Sequence, residues 1–462
     1  MAAPAPDAPL NRVESSTGFN LNLSSVPTNE MVAGDQALEA GEFITTARAT
    51  NEVPLTVRGA AKARAQQLCA LTPSALGTSR VKPAWRPGGA LIAVASEKDG
   101  ALLVQSFDRD GKAVDSHTLP PGPHQSNKPI WADWDSSGSS LAIMQEGVGL
   151  FLWDVPRADT PPGTPATQPL KLCPSITVAA TFCMWSKKHL QLAIGTGAGK
   201  VIVFNKAEGV MQLHDKKGKH GAAVTCGDWL FDNRLGLASG NRVKISKPLV
   251  EKGAKWESHS KFKLSGMLSR VPKKFKDAGA PRMLSFSLKS PTFVAVCIGD
   301  NYMLVFGTSN QHSNEDVGLT FPEDYGPIAS FQWLEDDTVL VALSNGYVTS
   351  VDFGAMVRMR KAQGLPECVK ATGTIKVFNE YLTCLTYNQQ SGRIGVCGDN
   401  GFKVITRKPG SNELEVLADI TLDYTLSIGN HLDNLKWSPD GSALAVTATD
   451  GYMWWHNISE KT

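Results

Sequence analysis

Residues 431–456 read HLDNLKWSPDGSALAVTATDGYMWWH. The segment LDNLKW alternates apolar and polar residues and stops at Trp437. That is the pattern of a strand with one face in a core. The polar run SPDGS follows, and Pro, Asp and Gly each favour a turn for a different reason. An apolar run, ALAVTA, leads to Asp450-Gly451 and then to the aromatic run YMWWH. Asp-Gly tolerates the positive φ that a tight hairpin needs. The stretch therefore predicts three antiparallel strands joined by short turns.

Residues 129–154, PIWADWDSSGSSLAIMQEGVGLFLWD, follow the same plan. So do 81–107, 180–205, 223–246, 282–306, 327–352 and 381–405. The aromatic that ends the first strand is Trp85, Trp134, Trp185, Trp229, Phe286, Trp333, Tyr387 and Trp437 in turn, at intervals of 44 to 57 residues. A unit recurring at that period is one supersecondary element that cannot bury its faces alone. Arranging such sheets about an axis covers both faces and leaves only short edges. The large ring of each unit is expected to pack against the neighbouring sheet. Asp99-Gly100, Asn345-Gly346, Asn400-Gly401 and Asp450-Gly451 fall at one offset and predict two-residue hairpins.

The predicted fold is all-β: a WD-repeat β-propeller of four-stranded blades, with seven or eight blades both open. Closure needs a strand from the other terminus, and Gln66–Leu71 (QQLCAL) is the candidate to pair with the last blade. Residues 58–71 also contain good helix formers. The propeller is expected over 66–462. Residues 1–65 form an extension, and 1–50, rich in Ala, Pro, Ser, Thr and Asn without a period, read as mostly disordered.

Composition agrees with a cored domain: 42% of residues are apolar and 19% charged. The net charge of +2 gives no general reason to expect nucleic acid. The eight cysteines form no CxxC pair and most lie in apolar runs, which predicts buried free thiols in a reducing compartment. The N-terminus lacks the pattern of a secretory signal, and no apolar stretch reaches ~18 residues. A soluble, intracellular protein is expected.

The residues offer no chemistry. GTGAGK (195–200) resembles a phosphate loop, but Ile194 stands where the first Gly belongs, Val201 replaces the Ser or Thr, and the strand VIVF follows instead of a helix. A hairpin turn is the expected structure. The nine histidines lack metal-ligand spacing, and His220 is expected to make a structural hydrogen bond. Asp99, Asp135, Asp300, Asp399 and Asp440 read as turn residues. On the inner strands WADW and TCGDW, Asp133 and Asp228 are expected to hydrogen-bond locally. The expectation is no catalytic residue, no cofactor, no metal and no small-molecule substrate.

One charge feature stands out. Residues 247–279, KPLVEKGAKWESHSKFKLSGMLSRVPKKFKDAG, are strongly basic. A solvated loop and outer strand accounts for them. The functional alternative makes Lys261, Lys263, Arg270, Lys273, Lys274 and Lys276 a contact for an acidic partner or an anionic membrane surface. Stacking aromatics are sparse there, which disfavours nucleic acid. The Pro/Thr-rich residues 156–169 read as a flexible insert.

Several stretches are similar to those of the WD-repeat subunits of intraflagellar transport complex A: QQLCAL, LGTSRVKPAW, ADWDSSGSSLAI with LFLWD, MWSKKHLQLAIGTGAGKVIVFN, GKHGAAVTCGDW, VCGDNGFKVI and the closing LKWSPDGSALAVTATDGYMWWH. The resemblance covers about residues 66–460. It implies a scaffold in a ciliary train particle serving retrograde transport and membrane-protein delivery. Implied partners are sister subunits of that particle, ciliary membrane cargo or its adaptor. Implied locations are cytoplasm, cilium and basal body. The family carries a second propeller and a helical-repeat tail, so the chain corresponds to an N-terminal portion. A generic WD-repeat adaptor of a coat, ubiquitin-ligase or nuclear complex would share the fold and differ in partners.

Overall fold

The computed structural model describes residues 44–46, 63–77, 80–119, 127–155, 170–173, 180–213, 221–249, 255–264, 279–288, 293–308, 317–335, 337–354, 373–399, 401–408, 411, 413–422 and 429–460. Their strands form eight sheets, antiparallel but for one added strand on blade 5. Blades 1 to 7 are sequential four-stranded meanders over residues 84–119, 129–173, 180–213, 224–263, 281–320, 328–376 and 382–421. Blade 8 takes Leu432–Trp437, Ala443–Ala448 and Met453–Glu460 from the C-terminal end. Its fourth strand is Ala63–Leu71, antiparallel to Met453–Glu460. The ring therefore has eight blades, and the N-terminal strand closes it.

The closing strand begins at Ala63, three residues before the expected start. Helix propensity is a weak preference that tertiary context overrides. A full backbone ladder against the last blade outweighs it. Ahead of that strand, Ile44–Thr46 runs parallel to Val317–Thr320 as a fifth strand on blade 5. The rest of the stretch read as disordered, the insert at 156–169 and His220 lie outside the described residues.

First strands of successive blades face one another around the whole circle, blade 8 meeting blade 1. They are therefore the innermost strands. The buried apolar side chains divide into eight clusters, each shared by two adjacent blades. The core is thus a ring of interfaces rather than one central mass.

Turn chemistry differs in detail from the expectation. Asp99 (φ 52°) and Gly100 (φ 72°) form a two-residue hairpin with both φ positive. At Asn345-Gly346 and Asp450-Gly451 only the glycine is positive, and the loops have three residues. A three-residue loop places its left-handed residue last, which is where each glycine stands. Asn400 lies outside the described residues. GTGAGK is a hairpin turn: Gly199 has φ 75°, and Thr196 N–H bonds Lys200 O at 2.9 Å.

Candidate functional site

The inner ring shows what the recurring aromatics do. Each lies in the cluster shared with the preceding blade. Five indoles also donate to the backbone carbonyl of the residue just before the equivalent aromatic one blade back. Trp134 Nε1 bonds Ala84 O at 3.0 Å, Trp185 bonds Asp133 O at 3.1 Å, and Trp229 bonds Met184 O at 3.0 Å. Trp333 bonds Ser285 O and Trp85 bonds Lys436 O, both at 3.1 Å. Trp437 is buried against Gly395 without such a bond.

Blades 5 and 7 lack an indole, and side chains of the preceding blade compensate. Asp228 accepts from Phe286 N–H at 3.0 Å and from Ser285 Oγ at 3.1 Å. Gln332 accepts from Tyr387 N–H. Both acceptors occupy the position just before a tryptophan. At the other end of the inner strands, a bulge follows the first residue of blades 2 to 8. The bulged residue reaches forward: Thr181 Oγ1 bonds Val224 O at 2.7 Å, Arg282 bonds Ile328 O at 2.6 Å, and Thr383 bonds Leu432 O. A bulge re-aims a side chain. Here it links successive blades.

The outer turns add ion pairs. A cation at or just past the end of the third strand of one blade meets an acid after the first strand of the blade before it. Lys206 Nζ lies 2.6 Å from buried Asp135, Arg109 lies 2.7 Å from Asp440, and Arg407 pairs with Glu335. Burial pushes the Asp135 carboxyl up, but bonds from Lys206, Ser137 and Ser139 hold it below its ordinary value. Asp440 lies well below its ordinary value: partial burial is outweighed by bonds from Ser438, Arg109 and Ser442.

Among the described residues the innermost strands carry Asp133 and Asp228, as expected, and also Arg282, Asp433 and Lys436. Burial raises the Asp133 carboxyl against the attraction of Lys436 and a bond from Trp134 N–H. Asp228 accepts from Trp229 N–H, and Lys187 Nζ stands 2.9 Å away. Both carboxylates are occupied by structural donors. Among the described residues no group of three or more His, Cys, Asp or Glu is placed to hold a metal ion. No helix among them is long and apolar enough to cross a membrane.

The basic segment divides. Lys261 and Lys263 stand on Lys255–Lys263, the outer strand of blade 4. Arg270, Lys273, Lys274 and Lys276 lie outside the described residues. Register places Lys263 directly opposite Arg242, and Lys261 opposite Lys244. The four cations share one sheet face, because side chains at i and i+2 do. Val243 and Phe262 take the other face and pack toward blade 5, with Phe262 4.6 Å from Phe306 between ring centroids. Arg242, Lys261 and Lys263 are exposed. Like charges directly opposed weaken a sheet. Sequence reading had missed Arg242 and Lys244, since only cross-strand register brings them to the patch.

A family model described as the WDR19 first beta-propeller matches residues 81–451. The chain belongs to that family. It is the family that the repeats and their intervening stretches resembled. WD repeat-containing protein 19 of Mus musculus is 24% identical over 362 residues, 76% of this chain and 23% of that protein. WD repeat-containing protein dyf-2 of Caenorhabditis elegans is 22% identical over 395 residues, 82% of this chain and 24% of that protein. The chain thus spans about a quarter of the length of these relatives. Among solved structures, Sqt1 of Chaetomium thermophilum bound to the N-terminus of ribosomal protein L10 superposes with TM-score 0.63 at 12% identity. The match covers 86% of this chain and 100% of that one. The C-terminal WD40 domain of Sif2 gives 0.60 at 13% identity, over 86% and 99%. These two similarities speak to the WD-repeat fold of the WDR19-type propeller.

Proposed function

We propose that this chain is a non-enzymatic interaction module of an intraflagellar transport A-type particle, acting in retrograde ciliary transport and in delivery of membrane proteins to the cilium. The observation that carries this is the family match, which runs from the segment entering blade 1 to the last hairpin of blade 8. Partners in this reading are sister subunits of the particle and ciliary membrane cargo or its adaptor. The places of work are the cytoplasm, basal body and cilium. The inner-ring bonds and outer ion pairs favour a stiff disc, which suits a platform. On the innermost strands Asp133, Asp228 and Asp433 each accept from a structural donor, which favours a scaffold over an enzyme.

The contact surface in this reading is the basic edge of blade 4. Arg242 and Lys263 stand directly opposed at a like-charge cost that an acidic partner would relieve, with Lys261 on the same face. Arg270, Lys273, Lys274 and Lys276 extend the same segment. An anionic membrane surface is the competing source of negative charge.

Tagged chain expressed in ciliated cells tests the reading by affinity capture and mass spectrometry. Transport-particle subunits are expected. Charge reversal at Lys261, Lys263, Lys273, Lys274 and Lys276 should reduce their recovery. Capture of a ubiquitin-ligase or nuclear complex in place of those subunits would overturn it.

A further inference from the structure

Cys384 and Cys397 stand directly opposite each other on the first two strands of blade 7. Directly paired residues of antiparallel strands have Cα atoms about 4.5–5.5 Å apart and side chains on one face. A disulfide spans Cα separations of about 4.4–6.8 Å. Both side chains lie in the cluster between blades 7 and 8, so the two sulfurs face the same side of the sheet. Thr383 Oγ1 lies 3.3 Å from the Cys397 sulfur and fixes its position.

Their surroundings differ. Cys397 is wholly buried in the cluster between blades 7 and 8. Cys384 is packed closely on nearly all sides, yet it keeps some solvent-accessible surface on the innermost strand. Its thiol lies below the ordinary range. The Cys397 hydrogen bond is the largest cause; burial opposes it, and nearby Lys82 and the N–H of Leu435 reinforce it. The Cys397 thiol is pushed well above the ordinary range by burial and by its bond to Cys384. The pair is asymmetric: the Cys384 side keeps access to solvent, and Cys397 has none. The other described cysteines differ. Burial raises Cys183 and Cys297, and pushes Cys226 up to about 12. Cys69, half-buried, is also raised by burial.

We propose that Cys384 and Cys397 form an oxidisable thiol site, with hydrogen peroxide as oxidant, Cys384 as the attacking sulfur and Cys397 as the resolving one. The Cys384 thiolate attacks the peroxide. An S–O bond forms, the O–O bond breaks, and the departing hydroxide takes a proton to become water. Cys397 then attacks the sulfenic sulfur. The S–S bond forms, the S–O bond breaks, and the leaving hydroxide takes the Cys397 proton. Two thiols are oxidised to one disulfide while one peroxide becomes two waters. Thiolate character and access select which cysteine enters this chemistry.

Arg393 lies between the two cysteines, so trypsin separates residues 377–393, carrying Cys384, from 394–403, carrying Cys397. The folded chain is pulsed with iodoacetamide at neutral pH and mapped. Cys384 should alkylate at least about tenfold faster than Cys183 or Cys226. After peroxide, a non-reducing digest should contain the two peptides joined, and dithiothreitol should part them. In Cys397→Ser, dimedone should label Cys384. Equal alkylation of Cys384 and the buried cysteines overturns the proposal. So does peroxide treatment that leaves the peptides unlinked. Both readouts use the native chain, so they stand even where the serine variant misfolds.

Discussion

The carboxylate of Asp228 accepts from the backbone N–H of Phe286 at 3.0 Å, across the boundary between blades 4 and 5. It stands in for the indole bond that Phe286 cannot make. It also receives Trp229 N–H, Ser285 Oγ and Lys187. Asp228→Ala would strand buried donors, each costing about 1–3 kcal/mol. The expected loss is about 2–3 kcal/mol in urea unfolding. Asp228→Asn keeps an acceptor oxygen and should lose less. Equal stability of Asp228→Ala and the parent would show the linkage to be idle.

The same boundary explains Gly236. A Cβ there would stand 2.3 Å from Phe286 Cζ. The glycine makes room for the ring on the adjoining strand. Gly236→Ala should cost about 1–3 kcal/mol through overpacking. Shortening the ring should absorb part of that cost, so Gly236→Ala with Phe286→Leu should be non-additive in a double-mutant cycle. Simple additivity would place the two residues out of contact.

Legibility tracks how local each signal is. The first strand, turn and second strand of each unit are written contiguously, and WADWDSSGSSLAI already shows them. The closing strand was visible too, since QQLCAL needed a partner. The count of eight was not decidable, because a repeat alone does not state whether its last copy closes the ring. Loop length at Asn345-Gly346 and Asp450-Gly451 was misread because two- and three-residue hairpins use the same dipeptide. The opposed cations Arg242/Lys263 and Lys244/Lys261, and the Cys384/Cys397 pair, depend on register. Register is a property of two strands together, and no single stretch carries it.

His456 links acidity to stability. It is 3% exposed, its ring stands 4.8 Å from Phe402, and its Nδ1 has no hydrogen-bond partner among the described residues. Burial lowers its pKa from 6.5 to about 4. The unfolded chain therefore takes up a proton near pH 6.5, whereas the folded chain stays neutral until about pH 4. Stability is complete above pH 6.5 and falls as pH drops toward 4, by about 3 kcal/mol from this residue. His456→Leu should flatten the parent's decline over that window. Thermal melts of both chains at pH 7, 6 and 5 compare the slopes, and parallel slopes would clear His456 of the effect.

Lys263 separates the cost of the basic edge from its use. It sits opposite Arg242, where like charges repel and opposite charges contribute about 0.2–1 kcal/mol. Lys263→Glu should therefore stabilise the isolated propeller slightly, and the gain should shrink in high salt. If the edge contacts an acidic partner, the same change should weaken binding and flatten its salt dependence. Stability and binding then move in opposite directions, which a merely misfolded variant cannot imitate. A solvated edge with no partner would give the stability gain alone. Denaturant unfolding and titration of an acidic peptide, each at two salt concentrations, distinguish the cases.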